Sequence, residues 1–386
     1  MARLVMLAER FPPDLGGVAT SAQRLAKSLS QLGHQVHVVA FSTRLPAGAA
    51  DTQNLPGFGF VHRLGIARHA DFTLQQAQNF LEWLHSEVNF ELVWSHYAHH
   101  AGFLGLWFAE LYHLPSILSV RGNDLDRQVF PTGDFARLQW MLQRATQVVA
   151  VSQDLARKIQ VLVPRNVSVL PNSVDPDVFS RAERSPELVS RYDLRPGELI
   201  LGFTGELRAK KGMSFLLQGL HQLLQRRPVR LLLVGEVRGQ DTGEFERTCA
   251  EMDGIDSAII RTGQLTDPRD VAAHLKLMDV FLQPSLWDGM PNSVLEAMVA
   301  RVPIVASDAG AIPELIEHGR TGYLVSKAHL HQLADHVERY LSWPGATRSQ
   351  MIEAAYQRAV SEHSPELERS RLSEILPQLE GSSSLA

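Results

Sequence analysis

Two carboxylates, Asp288 and Glu296, stand eight positions apart in PSLWDGMPNSVLEAMVARVPIVAS, the stretch from Pro284 to Ser307. Pro291 marks a helix start, because the first helical residue needs no N–H partner. The free amides and partial positive charge of a helix N-terminus let the backbone near Met290, Asn292 and Ser293 receive a phosphate or diphosphate. Leu295, Met298, Val299 and Val302 follow the spacing of a buried helical stripe, and Glu296 falls off it beside Asn292. Asp288 could equally do no more than complement the helix dipole, with Glu296 solvated. In GELRAKKG, Arg208 and Lys211 could neutralise a leaving diphosphate through charge-assisted hydrogen bonds, whereas Glu206 would repel it. SVRGNDLDR supplies Arg121, which cannot act as a base near neutral pH but could hold a phosphate or an acceptor anion. Asn123 and Asp124 beside it could hold hydroxyl groups of a ligand. In HYAHH, His96 and His99 could contact a ligand, and a zinc site there would need a further ligand atom in suitable geometry. Asp124–Asp126 also spells D-x-D, a tripeptide too short to carry a metal assignment.

These residues must be positioned by the elements around them. Short apolar, β-branched runs recur near Leu4, Val38, Val93, Leu118, Val149 and Val169 and predict fully buried parallel strands. Helix-length segments over Ala19–Leu32, Leu74–Val88 and His99–Tyr112 alternate with them, which predicts right-handed crossovers and a doubly wound α/β sheet. The alternation starts afresh at ELILGFTG and continues through VRLLLVGE, SAIIRTG, MDVFLQPS, PIVASD and GYLV, so a second α/β domain follows the first. Between them LPNSVDPDVFSRAERSPELVSRYDLRPGE is rich in proline and charge and has no strand of its own, as an interdomain connection should be. The expected boundary lies near Ser173, with domains over residues 1–173 and 174–363. Open α/β sheets bind ligands beyond the C-terminal ends of their strands, so two such domains facing each other would enclose substrates in a cleft.

Composition narrows the classes further. The 386 residues exceed what one core supports, and 45% hydrophobic with 20% charged residues suits a globular enzyme. Lysine and arginine number 37 against 42 acidic residues, a net charge of −5, and the basic residues form no stripe, so no nucleic-acid partner is expected. Cys249 is the single cysteine, which excludes an intrachain disulfide or a cysteine-ligated zinc site and suits a reducing, cytoplasmic setting. MARLVMLAERFPPD is too short in its apolar run for a signal peptide and reads as a buried strand. AGFLGLWFAELYHLPSILSV is broken by Glu110, His113 and Pro115, which predicts a helix, turn and strand rather than a membrane span. Peripheral contact with the inner face of a membrane stays open.

DGMPNSVLEAM resembles the E-x7-E motif of retaining family-4 glycosyltransferases of the GT-B fold, commonly E-G-x-P-N-x-x-x-E-A-M, with Asp288 at the first acidic position. The resemblance extends through FPPDLGGVATSAQRLAKSLSQLGHQVHVVA, VAVSQDLARKI, VLPNSVDPDVF, GELRAKKG, LLLVGE, DVFLQPSLWDGMPN and PIVASDAGAIPELIEHGRTGYLV. It implies two Rossmann-like domains facing across a cleft, the first serving the acceptor and the second a nucleoside-diphosphate sugar. It also implies metal-independent transfer with retention and no cofactor beyond that donor. By the same resemblance Asp288, with Gly289 and Met290 and the adjoining Pro291 and Asn292, holds the donor sugar. Glu296 holds the ribose, Lys211 binds phosphate, and Leu265 lies in the loop that receives the base. Gly17 lies over the donor phosphates and the acceptor. Glu206 stands where the family usually has arginine, and Arg208 could substitute. The acceptor would be a sugar, a lipid-linked sugar or another small molecule. The final helix, about 364–386, is expected to pack back on the first domain, with the GSSSLA tail disordered. A nucleotide-sugar epimerase of the same fold and a noncatalytic sugar-nucleotide-binding subunit are the alternatives.

Overall fold

A computed structural model of the chain describes residues 1–14 and 16–376. The chain forms two compact units, Met1–Asn172 joined by the helix Pro365–Ile375, and Ser173–Ser364. The end of the expected final helix, including GSSSLA, falls outside the described residues.

The first unit contains β1 (Arg3–Ala8), β2 (Gln35–Ser42), β3 (Ala50–Leu55), β4 (Gly59–Gly65), β5 (Leu92–His96), β6 (Ser116–Val120), β7 (Gln147–Ala150) and β8 (Val167–Val169). They form one sheet in the order β3-β4-β2-β1-β5-β6-β7-β8, parallel except where β3 runs against β4. Because strand side chains alternate between faces, Leu4, Met6, Ala8, Val36, Val38, Leu92 and Trp94 pack on one side. There they meet Ala22, Leu25 and Leu29 of the helix Gly17–Gln31. Val5, Leu7, Val39 and Val93 pack on the other side against Leu81 and Leu84 of the helix Ala70–Val88 and Leu104 and Phe108 of the helix His100–Leu111. Leu372 and Ile375 of the helix Pro365–Ile375 complete the first face. That helix is also held through Glu368, whose buried carboxylate accepts hydrogen bonds from Arg24 Nε at 2.7 Å and Ser28 Oγ at 3.0 Å.

Two expectations fail here. The apolar-run rule passes over β3 and β4, because ADTQNL is polar and mostly exposed and β4 carries His62 and Arg63 among its apolar residues. β8, expected to be fully buried, is a half-exposed edge strand.

The second unit contains β9 (Leu199–Thr204), β10 (Val229–Val234), β11 (Ile259–Arg261), β12 (Val280–Gln283), β13 (Ile304–Ser307) and β14 (Tyr323–Val325), all parallel in the order β11-β10-β9-β12-β13-β14. Leu201, Phe203, Leu231 and Leu233 pack against Leu216, Leu217 and Leu220 of the helix Met213–Leu224 and against Leu333, Val337 and Tyr340. Each fully buried leucine contributes roughly 1.5–3 kcal/mol of hydrophobic stabilisation. Among the described residues no helix is long and apolar enough to cross a membrane.

The β3–β4 pair is tied to β2 by a buried chain of neutral histidines. His37 Nδ1 and His62 Nε2 lie 3.0 Å apart, with Gln35 Nε2 3.1 Å from His37 and Thr52 Oγ1 2.9 Å from His62. Burial lowers both imidazoles to about pKa 4, and His62 is further lowered by its neighbour. The unfolded chain therefore binds protons that the folded chain refuses between about pH 6.5 and pH 4. Stability conferred by the neutral pair is present at neutral pH and is lost as pH falls through this window. Urea unfolding at pH 7 and pH 4.5 should show a fall in stability that is clearly smaller in the His37→Leu/His62→Leu double variant.

Candidate active site

In the second unit the strand order reverses beside β9, with β10 on one side and β12 on the other. Loops leaving two such strands part toward opposite faces, and the crevice between them is where open α/β sheets take ligands. Lys211 follows β9 and Asp288 follows β12, and their side chains form a salt bridge, Lys211 Nζ donating to Asp288 Oδ2. Burial pushes the Asp288 carboxyl up, but Lys211, Lys210 and Arg208 outweigh it and hold it below the usual carboxylate range. Arg208 pairs with Glu206 at 3.4 Å. The crevice thus carries three cations, Arg208, Lys210 and Lys211, against the carboxylates of Glu206 and Asp288.

Buried polar groups brace Asp288. Ser285 Oγ stands 3.5 Å from Asp288 Oδ2, Gln283 Nε2 donates to Ser285 Oγ at 2.8 Å, and Ser293 Oγ donates to Gln283 Oε1 at 3.0 Å. Gln283 and Ser285 are fully buried, so this network joins the end of β12 to the first turn of the helix Asn292–Val299. The two loops are also pinned by their backbones. The Leu286 amide donates to the Lys210 carbonyl at 2.8 Å, and Gly212, at φ +77, lies so near the Pro284 carbonyl that a Cβ would come within 1.8 Å. A third loop closes on the same point. Gly310, at φ +54, would set a Cβ 2.0 Å from the Asp288 carbonyl, which accepts the Ala311 amide at 3.1 Å.

The remaining donor candidates of this unit lie on the loop and helix that follow β12 and on the loop that follows β11. Gly289, Met290 and Pro291 are buried, and Pro291 stands in extended conformation one residue before the helix. Asn292 begins that helix, and its buried side-chain oxygen accepts no hydrogen bond from the described residues. Glu296 is half-buried on the same helix, off the stripe formed by Leu295, Met298 and Val299. Leu265 follows β11, half-buried, its carbonyl accepting the Gln264 side-chain amide at 3.1 Å.

In the first unit the order reverses beside β1, between β2 and β5. Gly17 opens the helix after β1, with Gly16 at φ +110 before it. Glu9 directly follows β1 and pairs with His99 Nδ1 at 2.9 Å, and its other oxygen accepts the Ala101 amide at 2.9 Å. Burial raises the Glu9 carboxyl, but His99, the Ala101 amide and His100 together bring it below the usual range. His99 is raised in turn by the Glu9 hydrogen bond, against the effect of burial. Arg121 donates to Asn172 Oδ1, which also accepts Arg24 Nη2 at 2.7 Å. Burial and the neighbouring Arg24 bring Arg121 down to about pKa 9, with Glu368 and Asp124 opposing them. Asn123 is half-buried at the start of the short helix Asn123–Asp126.

Two acceptor candidates have other jobs. Asp124 is fully buried, and its two oxygens accept the amides of Ala98, Arg121 and Gly122 at 2.6–3.0 Å. It clasps the loop and has no oxygen left for a sugar hydroxyl. His96, the last residue of β5, is also fully buried and lies 2.9 Å from Ser21 Oγ. Burial, then the charges of Arg121 and Arg24, keep it neutral, well below the ordinary imidazole range.

Sequence reasoning missed Glu9, the Arg24–Asn172–Glu368 group, the Gln283–Ser285–Ser293 brace and Gly310. Only Glu9 had a local signal, an acid at the end of the first strand where the strand order reverses. The others meet through contacts more distant than any motif spans.

Residues 15–178 match the family described as Glycosyltransferase Family 4, and residues 198–342 match Glycosyl transferases group 1. D-inositol 3-phosphate glycosyltransferase of Pseudarthrobacter chlorophenolicus is 25% identical over 371 residues, covering 90% of this chain and 86% of that protein. Alpha-maltose-1-phosphate synthase of Mycolicibacterium smegmatis is 24% identical over 395 aligned positions, covering 94% and 95%. Sucrose-phosphate synthase from Thermosynechococcus elongatus superposes with a TM-score of 0.83 at 17% identity, covering 99% of this chain and 100% of that one. Anabaena HepE in complex with UDP-glucose superposes with a TM-score of 0.81 at 17% identity, covering 98% and 100%.

A Gly310→Ala substitution should lower unfolding stability by about 1–3 kcal/mol, since the new methyl must displace the Asp288 backbone and adopt a left-handed conformation. Chemical denaturation of the purified variant measures it; an unchanged midpoint would remove Gly310 from the architecture of this loop.

Proposed function

Because this chain belongs to the family-4, group-1 glycosyltransferases and has their GT-B fold, we propose that it transfers a sugar from a nucleoside diphosphate to a hydroxyl acceptor with retention of configuration, without a metal at the reacting centre. The observation that carries the proposal is the Lys211–Asp288 salt bridge at the second unit's switch point, with Asp288 on the loop that leads into the helix Asn292–Val299.

Bond cleavage leaves negative charge on the departing diphosphate and positive charge on the anomeric carbon. Lys211 and Arg208 act on the diphosphate, with the amides that open the helix Asn292–Val299, and such fixed charges stabilise the transition state more than the ground state. Asp288 holds the Lys211 ammonium in place before the donor arrives. It also presents an ionised carboxylate to the sugar. Glu296 receives the ribose hydroxyls. The departing phosphate oxygen takes the acceptor's proton as the new glycosidic bond forms, which retains the anomeric configuration and requires no side-chain base. Glu206 adds a carboxylate to the loop that carries the cations, and its pairing with Arg208 reduces its repulsion of the diphosphate.

A UDP-linked hexose is the first donor to offer, since one solved protein of this fold, Anabaena HepE, is in complex with UDP and with UDP-glucose. The first unit, with Gly17, His99, Arg121 and Asn123, would receive the acceptor, whether a free sugar, a sugar phosphate or a lipid-linked sugar.

A thermal-shift series with UDP, GDP and ADP and their sugar conjugates tests the donor site, because a ligand of the folded state raises the midpoint by linkage. One nucleotide family should stabilise the protein selectively, unaffected by magnesium. Lys211→Ala and Glu296→Ala should each weaken its binding by roughly tenfold or more, the loss of about 1.4 kcal/mol, while the variants stay folded. Equal affinity in wild type and both variants would defeat the assignment, and the anomeric configuration of the product, read by NMR, tests retention.

A further inference from the structure

At the first unit's switch point, Glu9, His99 and His100 bring one carboxylate oxygen and two imidazole nitrogens within 4.8 Å of one another. We propose that these three residues bind a borderline divalent transition ion, for which Zn2+ is the best match, leaving a fourth coordination position for water or a substrate oxygen. The proposal goes beyond the transfer reaction above, which is derived without this ion and places its charge chemistry in the other unit.

The distances support it. A tetrahedral ion with ligands at about 2.0–2.2 Å separates neighbouring donor atoms by roughly 3.3–3.5 Å. Glu9 Oε1 lies 2.9 Å from His99 Nδ1 and 3.9 Å from His100 Nδ1, which brackets that value. An ion replacing the proton between Glu9 and His99 therefore needs shifts of roughly half an ångström. The ligands stand on fixed elements: Glu9 directly follows β1, His99 caps the helix His100–Leu111, and His100 is its first residue. The second Glu9 oxygen is already oriented by the Ala101 amide at 2.9 Å, the kind of outer hydrogen bond that tunes metal ligands.

Donor chemistry selects the ion. Two nitrogens among three donors suit zinc, cobalt or nickel and disfavour magnesium and calcium, which take oxygen. One carboxylate and two neutral imidazoles leave an ion of charge +2 partly compensated, and Asp134 supplies further negative charge nearby. Arg137, which opposes it, is paired with Asp134 at 3.3 Å. All three ligands keep 21–32% of their side-chain surface exposed, so an ion can enter from solvent. The histidine cluster alone lacked a third ligand, and Glu9 supplies it from 90 residues upstream of His99.

The test uses the full chain, stripped of metal by chelator dialysis and titrated with Zn2+ by calorimetry and with Co2+ by visible absorption. One equivalent should bind with a micromolar or tighter Kd, and Co2+ should give the absorption of a four-coordinate site. His100→Ala is the discriminating variant, because it leaves the Glu9–His99 pair intact yet should weaken binding by roughly tenfold or more, about 1.4 kcal/mol by the affinity relation. Glu9→Gln and His99→Ala should do the same, with circular dichroism showing each variant folded. The chain has 16 histidines, so uptake that is equal in wild type and the triple variant would mark surface binding and overturn the proposal. Absence of stoichiometric uptake would overturn it as well.

Discussion

Right-handed crossovers can cover both faces of a parallel sheet only if the winding direction reverses somewhere, and at that reversal two loops separate and leave a gap that no main chain fills. Both units of this protein are organised around such a point. In one it lies between β9 and β12 and is occupied by Lys211 and Asp288; in the other it lies between β1 and β5 and is occupied by Glu9, His99 and His100. The helices, the apolar faces and the glycine contacts serve to keep these loops where the topology leaves room for them.

Electrostatics in the second unit follow from that confinement. Burial disfavours charge on Asp288, and three cations on the neighbouring loop outweigh that effect and hold its carboxyl below the usual carboxylate range. The same cations would repel one another without Asp288 and Glu206. The Gln283–Ser285–Ser293 brace and the tight contacts at Gly212 and Gly310 limit how far any of these charges can relax. Preorganised charge of this kind suits a reaction whose barrier is the separation of a diphosphate from a sugar. The departure at Glu206 is tolerable because Arg208 lies within pairing distance, a relation that two residues of sequence suggest and geometry supplies.

The first unit holds its polar groups differently. Asp124 and His96 look in sequence like ligand-binding residues at a strand end, yet both are fully enclosed and committed to the loop and to Ser21. Arg24, Arg121, Asn172 and Glu368 meet from four distant parts of the chain: Arg24 donates to Glu368 and to Asn172, and Arg121 donates to the same asparagine. A returning helix is therefore held to this unit by charge as well as by Leu372 and Ile375.

Much of this was local information. Apolar runs of strand length separated by helix-length segments imply two doubly wound units, because parallel strands buried on both faces cannot be polar. Pro291 likewise marks a loop end and a helix start, which the helix Asn292–Val299 bears out. The exposed, polar β3, the edge position of β8, the enclosure of His96 and Asp124, and the pairing of Glu9 with His99 were decided by tertiary structure alone. Hydrophobic periodicity reports which face of an element is buried. It carries no record of which distant side chain completes a hydrogen bond or balances a charge, and that partner determines whether a titratable residue braces a loop or faces a ligand.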